Sequence, residues 1–111
     1  MKIESTTQQT VLGPVSLFTI TNDRGAQVTL SALGAAIVAI RVPDKENRMA
    51  DVVIGYDRAE DYIADGPCAG KTPGRYANRI AGGRLTIDGK SYELPVNNGP
   101  NHLHGGPDGY Q

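Results

Sequence analysis

Glycine and proline recur along the whole chain, fourteen and seven of them in 111 residues, and they separate short segments instead of pooling in one linker. Glycine admits backbone conformations that other residues avoid, and proline removes a donor and stops a helix, so this punctuation predicts many turns joining short strands. "VSLFTIT", Val15 to Thr21, is rich in β-forming residues and stops at the turn sequence "NDRG". "AQVTLSAL" returns after Gly25 with Val28 and Leu30 on one face, which predicts a hairpin. "AAIVAIRV", after Gly34, is almost wholly apolar, short, β-branched and closed by Pro43, and is expected to form a strand buried on both faces. "ADVVIG", Ala50 to Gly55, is expected to form another, beyond the polar turn "PDKENRM".

The middle segment, "YDRAEDYIADGPCAGKTPGRYANRI", sustains neither period and holds at most one short helical turn, near Arg58 to Ile63. From Gly83, "GRLTIDGKSYELPV" predicts a hairpin turning at Asp88-Gly89, with Leu85 opposite Tyr92. Five or six short strands and no long helix make an all-β chain, for which a sandwich is the natural architecture. No internal repeat or low-complexity tract interrupts it.

Eleven Lys and Arg against twelve Asp and Glu give a net charge of -1, which lacks the basic excess that draws a chain to phosphate backbones or anionic lipid. Neither a nucleic acid nor a membrane is therefore an expected partner. The N-terminus has no apolar run behind Lys2, so no signal peptide is expected, and no segment approaches the roughly 20 apolar residues that cross a bilayer. One cysteine, Cys68, cannot form an internal disulfide, and a cytoplasmic location is expected.

"DGPCAGKT" looks like a phosphate-binding loop but has Asp65 where the motif needs its first glycine, and Pro73 removes a backbone N–H where a helix should begin. The His102-x-His104 pair in "NNGPNHLHGG" could supply two metal ligands. A closed zinc site takes four, however, and only one cysteine and scattered carboxylates remain, so no metal is expected. One histidine packing locally while the other serves a site is the simpler arrangement. In "GRYANRIAGGR", residues 74–84, Asn78 and Arg79 place an amide beside a charged fork, flanked by glycines that allow close approach. Such groups suit a polyhydroxylated ligand; the ordinary alternative is a surface arginine paired with an acid.

"GRYANRIAGGRLTIDGKSYELPVNNGPNHLHGG" resembles the signature region of aldose 1-epimerases, the galactose mutarotases, and "GAQVTLSALGAAIVAIRVPD" and "DVVIGYDRAEDY" are similar to what precedes it there. The resemblance implies that residues 1–111 are the N-terminal portion of one large antiparallel β-sandwich domain. The activity it implies is interconversion of the α and β anomers of free aldohexoses such as galactose and glucose, with no cofactor. By matching motifs, Asn78, Arg79 and His104 are implied substrate-binding residues and His102 a structural one. The resemblance places the acid histidine and base glutamate beyond Gln111, so no catalytic residue is expected within this chain. The partner it implies is the C-terminal remainder of the same enzyme, as a separate chain. A noncatalytic carbohydrate-binding or interaction module of the same fold is the alternative.

Overall fold

The computed structural model describes residues 1–109, which fall into two compact units divided along the chain between Lys71 and Thr72. The first unit is a five-stranded antiparallel sheet in sequence order: β1 (Lys2–Thr10), β2 (Gly13–Thr21), β3 (Gln27–Ser31), β4 (Ile37–Pro43) and β5 (Met49–Asp51). The expected β2–β3 hairpin forms, because Asn22 Oδ1 accepts the N–H groups of Arg24 and Ala26 and Gly25 takes a φ of 85°. The expected helical turn is a short 3₁₀ segment, Ala59–Tyr62. Among the described residues there is no α-helix, and no helix is long and apolar enough to cross a membrane.

Three expectations need correction. β1 was not anticipated, because only Ile3 is apolar among its nine residues; its register comes from pairing with β2, which runs from Lys2 opposite Thr21 to Thr10 opposite Gly13. The strand expected over Ala50–Gly55 ends at Asp51, whose Oδ1 accepts the N–H groups of Ile40 and Val53 and so uses up the bonds that would extend the ladder. β4 is not buried on both faces: Ala39 is buried, but Ile37 is 40% exposed and Val38, Ile40 and Val42 are half-buried.

Pairing explains that last difference. Glu4, Thr19, Thr29 and Ala39 line up across one face of the sheet, as do Thr6, Leu17 and Ser31. The opposite face carries the rows Ile3–Ile20–Val28–Ile40 and Phe18–Leu30–Ile37, with Ile3 60% and Phe18 40% exposed. The polar-looking face is the one that is covered, by the chain that follows β5. There Ala59 N–H donates to Gln8 Oε1 at 2.7 Å, and Tyr62 is buried together with Val15, Leu17 and Ala39. On the apolar face Ile20, Val28, Leu30 and Ile40 are half-buried, and Ile3, Phe18 and Ile37 are exposed.

Tyr62 organises the covering segment. Its hydroxyl accepts the N–H of Tyr56 at 3.0 Å, the two rings meet edge to face at 5.0 Å, and Lys71 Nζ donates to the Tyr62 carbonyl at 2.6 Å. The residues that resembled a phosphate loop are thus structural: Lys71 is tied to Tyr62, and Asp65 accepts the N–H of Ala69. Gly55 is required beside them, since a Cβ there would lie 2.6 Å from the Tyr62 hydroxyl and 2.8 Å from the Val38 carbonyl oxygen.

Tyr56 donates its hydroxyl to Asp65 Oδ1 at 3.0 Å, and this bond, with some burial, raises the phenol above its ordinary pKa. Ionisation would destroy the donor and set two anions side by side. The bond therefore stabilises the fold fully below the unfolded tyrosine pKa of about 10, and its contribution is lost as pH rises through the higher folded value. Tyr56→Phe should accordingly show a flatter fall in melting temperature than the parent between roughly pH 9 and 12. Parallel curves for the two proteins would remove this bond from the alkaline stability.

The second unit holds β6 (Arg79–Ile80), β7 (Arg84–Ile87), β8 (Lys90–Glu93) and β9 (His102–Leu103), with β6 paired to β9 and β7 to β8. The Asp88-Gly89 hairpin forms as expected, with Leu85 opposite Tyr92 and both turn residues at positive φ, 50° and 77°.

Candidate functional site

The short β6–β9 pair brings the sequence-predicted residues together. Arg79 pairs with Leu103 and Ile80 with His102, which places Asn78, just before β6, opposite His104, just after β9. The ladder continues there in a modified form. His104 N–H donates to the Asn78 carbonyl at 3.1 Å, while Asn78 N–H donates to the ring of His104, at Nδ1, 3.0 Å away. Both residues sit in the left-handed region, Asn78 at φ 66° and His104 at φ 52°. That conformation carries a steric cost for any residue with a side chain and is concentrated at functional sites.

These bonds assign the histidine protons. A backbone N–H can only donate, so Nδ1 of His104 is an acceptor and the proton of its neutral ring lies on Nε2, as a donor. His102 has the opposite arrangement: its Nδ1 lies 2.7 Å from the Pro95 carbonyl oxygen, which can only accept, so Nδ1 carries the proton. His102 is 5% exposed, whereas His104 is half-buried. Two histidines one residue apart are thus held as different tautomers, one turned to local structure and one with a donor to spare.

The following glycines make this close packing possible. A Cβ on Gly105 would lie 2.0 Å from the Gly74 carbonyl oxygen, and one on Gly106 would lie 2.8 Å from Cε1 of His102.

Arg79 is exposed and has no carboxylate partner among the described residues. Neutral amides hold it instead: Nε donates to Asn98 Oδ1 at 2.9 Å and Nη1 to Asn78 Oδ1 at 3.3 Å. An amide oxygen orients a guanidinium without cancelling its charge, and the fork keeps Nη2 for another acceptor. The ordinary alternative of a surface arginine paired with an acid is therefore set aside. Asn78 is the hub of the arrangement, since its N–H, its carbonyl and its Oδ1 all serve His104 or Arg79.

Sequence reasoning missed Asn97 and Asn98. Asn97 brackets Leu103, accepting its N–H at 2.7 Å and donating to its carbonyl at 3.0 Å, and so stands in for a neighbouring strand. The Asn-Gly signal marks a turn, and nothing local reveals that its side chains reach β6 and β9. Among the described residues no three His, Cys, Asp or Glu side chains converge as metal ligands.

The strands pair in antiparallel sheets throughout, and this arrangement has a solved counterpart among the galactose mutarotase-like β-sandwiches. A solved aldose epimerase homologue from C. elegans superposes with a TM-score of 0.77 at 37% identity, over 96% of this chain and 30% of that one. A family model described as aldose 1-epimerase matches residues 16–111, and the chain belongs to that family. Galactose mutarotase from Bos taurus is 45% identical over 98 residues, and aldose 1-epimerase from Escherichia coli 38% over 97. These alignments take in 88% and 87% of this chain but only 28% of either relative, so the chain spans under a third of the proteins it matches.

Proposed function

We propose that this chain supplies part of the sugar-binding cradle of an aldose 1-epimerase, which interconverts the α and β anomers of free aldohexoses such as galactose and glucose. The observation that carries this reading is that the β6–β9 pairing sets Arg79 and His104 on adjoining strand ends, each held by atoms other than Arg79 Nη2 and His104 Nε2–H, two donors that have no partner among the described residues. Sugar oxygens accept hydrogen bonds at several points, and Asn78 Nδ2 adds a further donor of the same kind. Mutarotation needs a base to take the proton of the anomeric hydroxyl and an acid to protonate the ring oxygen; the ring opens, the C1–C2 bond rotates, and the aldehyde recloses on its other face. We assign both proton-transfer groups to the remainder of the epimerase fold and none to this chain.

That remainder is the partner we assign to the apolar rows Ile3–Ile20–Val28–Ile40 and Phe18–Leu30–Ile37, since a sheet in a sandwich buries its apolar face against a second sheet. One free cysteine and no disulfide suit a reducing compartment, and the cytoplasm is the location we assign.

The test follows optical rotation of freshly dissolved α-galactose with this chain alone and after mixing with a polypeptide carrying the remainder of the fold. The chain alone should leave the rate at that of buffer, and the complemented protein should accelerate it with a dependence on chain concentration. Acceleration by the chain alone would place the proton-transfer pair within these residues. An inactive complemented protein that binds galactose in calorimetry would favour the noncatalytic module instead.

A further inference from the structure

The asparagine pair at 97–98 is the part of the cluster to which the sugar reading assigns no task. Its geometry begins with a tight turn: the N–H groups of Asn97 and Asn98 both reach the Asn101 carbonyl, Asn101 N–H returns to the Asn98 carbonyl at 3.0 Å, and Gly99 takes a φ of 56°. Asn101 Oδ1 ties the same turn to Gly82 N–H. With its backbone so held, Asn98 presents a half-buried side chain whose Oδ1 receives Arg79 Nε from 19 residues away.

We infer that Asn98 is a positioning residue for Arg79 and that the turn carrying it sets both donors of the cradle at once. The inference rests on the sugar-binding reading of Arg79. An arginine side chain has several rotatable bonds and, exposed, would sample many rotamers; ordering it at the moment of binding costs affinity. Asn98 meets that cost in advance by taking Nε–H, the one donor that the guanidinium carries nearest its stem. With Asn78 on Nη1 as well, two bonds fix the plane of the fork, and Nη2 takes part in neither of them. An acidic residue at 98 would grip as well but would cancel the charge that a sugar oxygen, gaining negative character as the ring opens, would meet. The neighbouring Asn97 fixes Leu103, one residue before His104, so both donors are referred to the same short turn.

A double-mutant cycle tests this in the complemented protein, using Asn98→Ala, Arg79→Lys and the pair. Lysine keeps the charge but has no Nε–H, so Asn98 can position arginine and not lysine. Asn98→Ala should lower kcat/KM for galactose roughly fivefold with the melting temperature unchanged, as expected for one hydrogen bond to a charged group at an exposed site. In the Arg79→Lys background the same change should have less than about a twofold effect. With only this chain labelled by ¹⁵N-arginine, the Arg79 Nε–H resonance should shift and exchange faster in Asn98→Ala. An unchanged resonance, or an equal loss in the lysine background, would overturn the inference. A parent protein that fails to bind or epimerise galactose would instead defeat the sugar reading, and the resonance would still decide whether Asn98 holds Arg79.

Discussion

Gly105→Ala should cost on the order of 3 kcal/mol or more, and with it the His104 donor. Two penalties act together. The added Cβ would lie 2.0 Å from the Gly74 carbonyl oxygen and 2.8 Å from its carbon, both backbone atoms that no rotamer change can move aside. The backbone at Gly105 also has a φ of 92°, where an L side chain is strained whatever space surrounds it. Gly99→Ala separates the two effects, because Gly99 shares a positive φ, 56°, but has open space where its Cβ would go. That variant should lose only the left-handed cost of about 1–2 kcal/mol. For a chain of this size 1 kcal/mol corresponds to roughly 4–8 °C in melting temperature, so Gly105→Ala should melt more than about 10 °C below the parent. It should also lose galactose binding in the complemented protein, since relief of the clash must move the residue next to His104. Equal melting of the two alanine variants would show that the approach of Gly105 to Gly74 is looser than the geometry states.

The contrast between these glycines bears on what could be read from the sequence. Asp88-Gly89 was legible because everything it needs is local: two residues that tolerate positive φ, between segments whose Leu85 and Tyr92 fall opposite each other. Gly105 was visible as a glycine but not as a contact, because Gly74 lies far from it along the chain. β1 was illegible for a related reason. Its sequence, KIESTTQQT, has no apolar alternation, and its pairing with β2 is decided by the partner strand. The opposite error came at residues 52–55, where an apolar run looked like a strand although Ile54 is 93% exposed, because the Asp51 carboxylate captures the backbone donors.

At the site the residues alone left Arg79 undecided between a ligand contact and a surface ion pair, and resemblance tipped the balance. The amides of Asn78 and Asn98 settle the ion-pair question on physical grounds. No sequence pattern reports that Asn97 replaces a strand, since the bond depends on how β9 returns beside the turn.

The two histidines should fail in opposite ways, and this is the sharpest consequence of their tautomers. His104→Asn keeps a residue that tolerates the left-handed backbone and keeps a side-chain acceptor near Asn78 N–H, but it removes the Nε2 donor. If that donor meets the charge that develops on a sugar oxygen during ring opening, its loss should raise the barrier by about 2–4 kcal/mol, with little change in melting temperature. His102→Ala removes a ring that is 5% exposed and leaves the Pro95 carbonyl without its donor. The unsatisfied acceptor alone should cost about 1–3 kcal/mol of stability, and the void left by the ring adds to it. Yet the folded fraction of that variant should keep most of its kcat/KM, because Nδ1 of His102 is spent on Pro95 and its ring backs onto Gly106. Melting temperature and polarimetric relaxation of fresh α-galactose, measured on both complemented variants, give two coordinates for each substitution. His104→Asn should lie along the activity axis and His102→Ala along the stability axis. If His102→Ala instead loses activity at an unchanged melting temperature while His104→Asn remains active, the roles of the two histidines are exchanged and the tautomer assignment no longer supports the cradle.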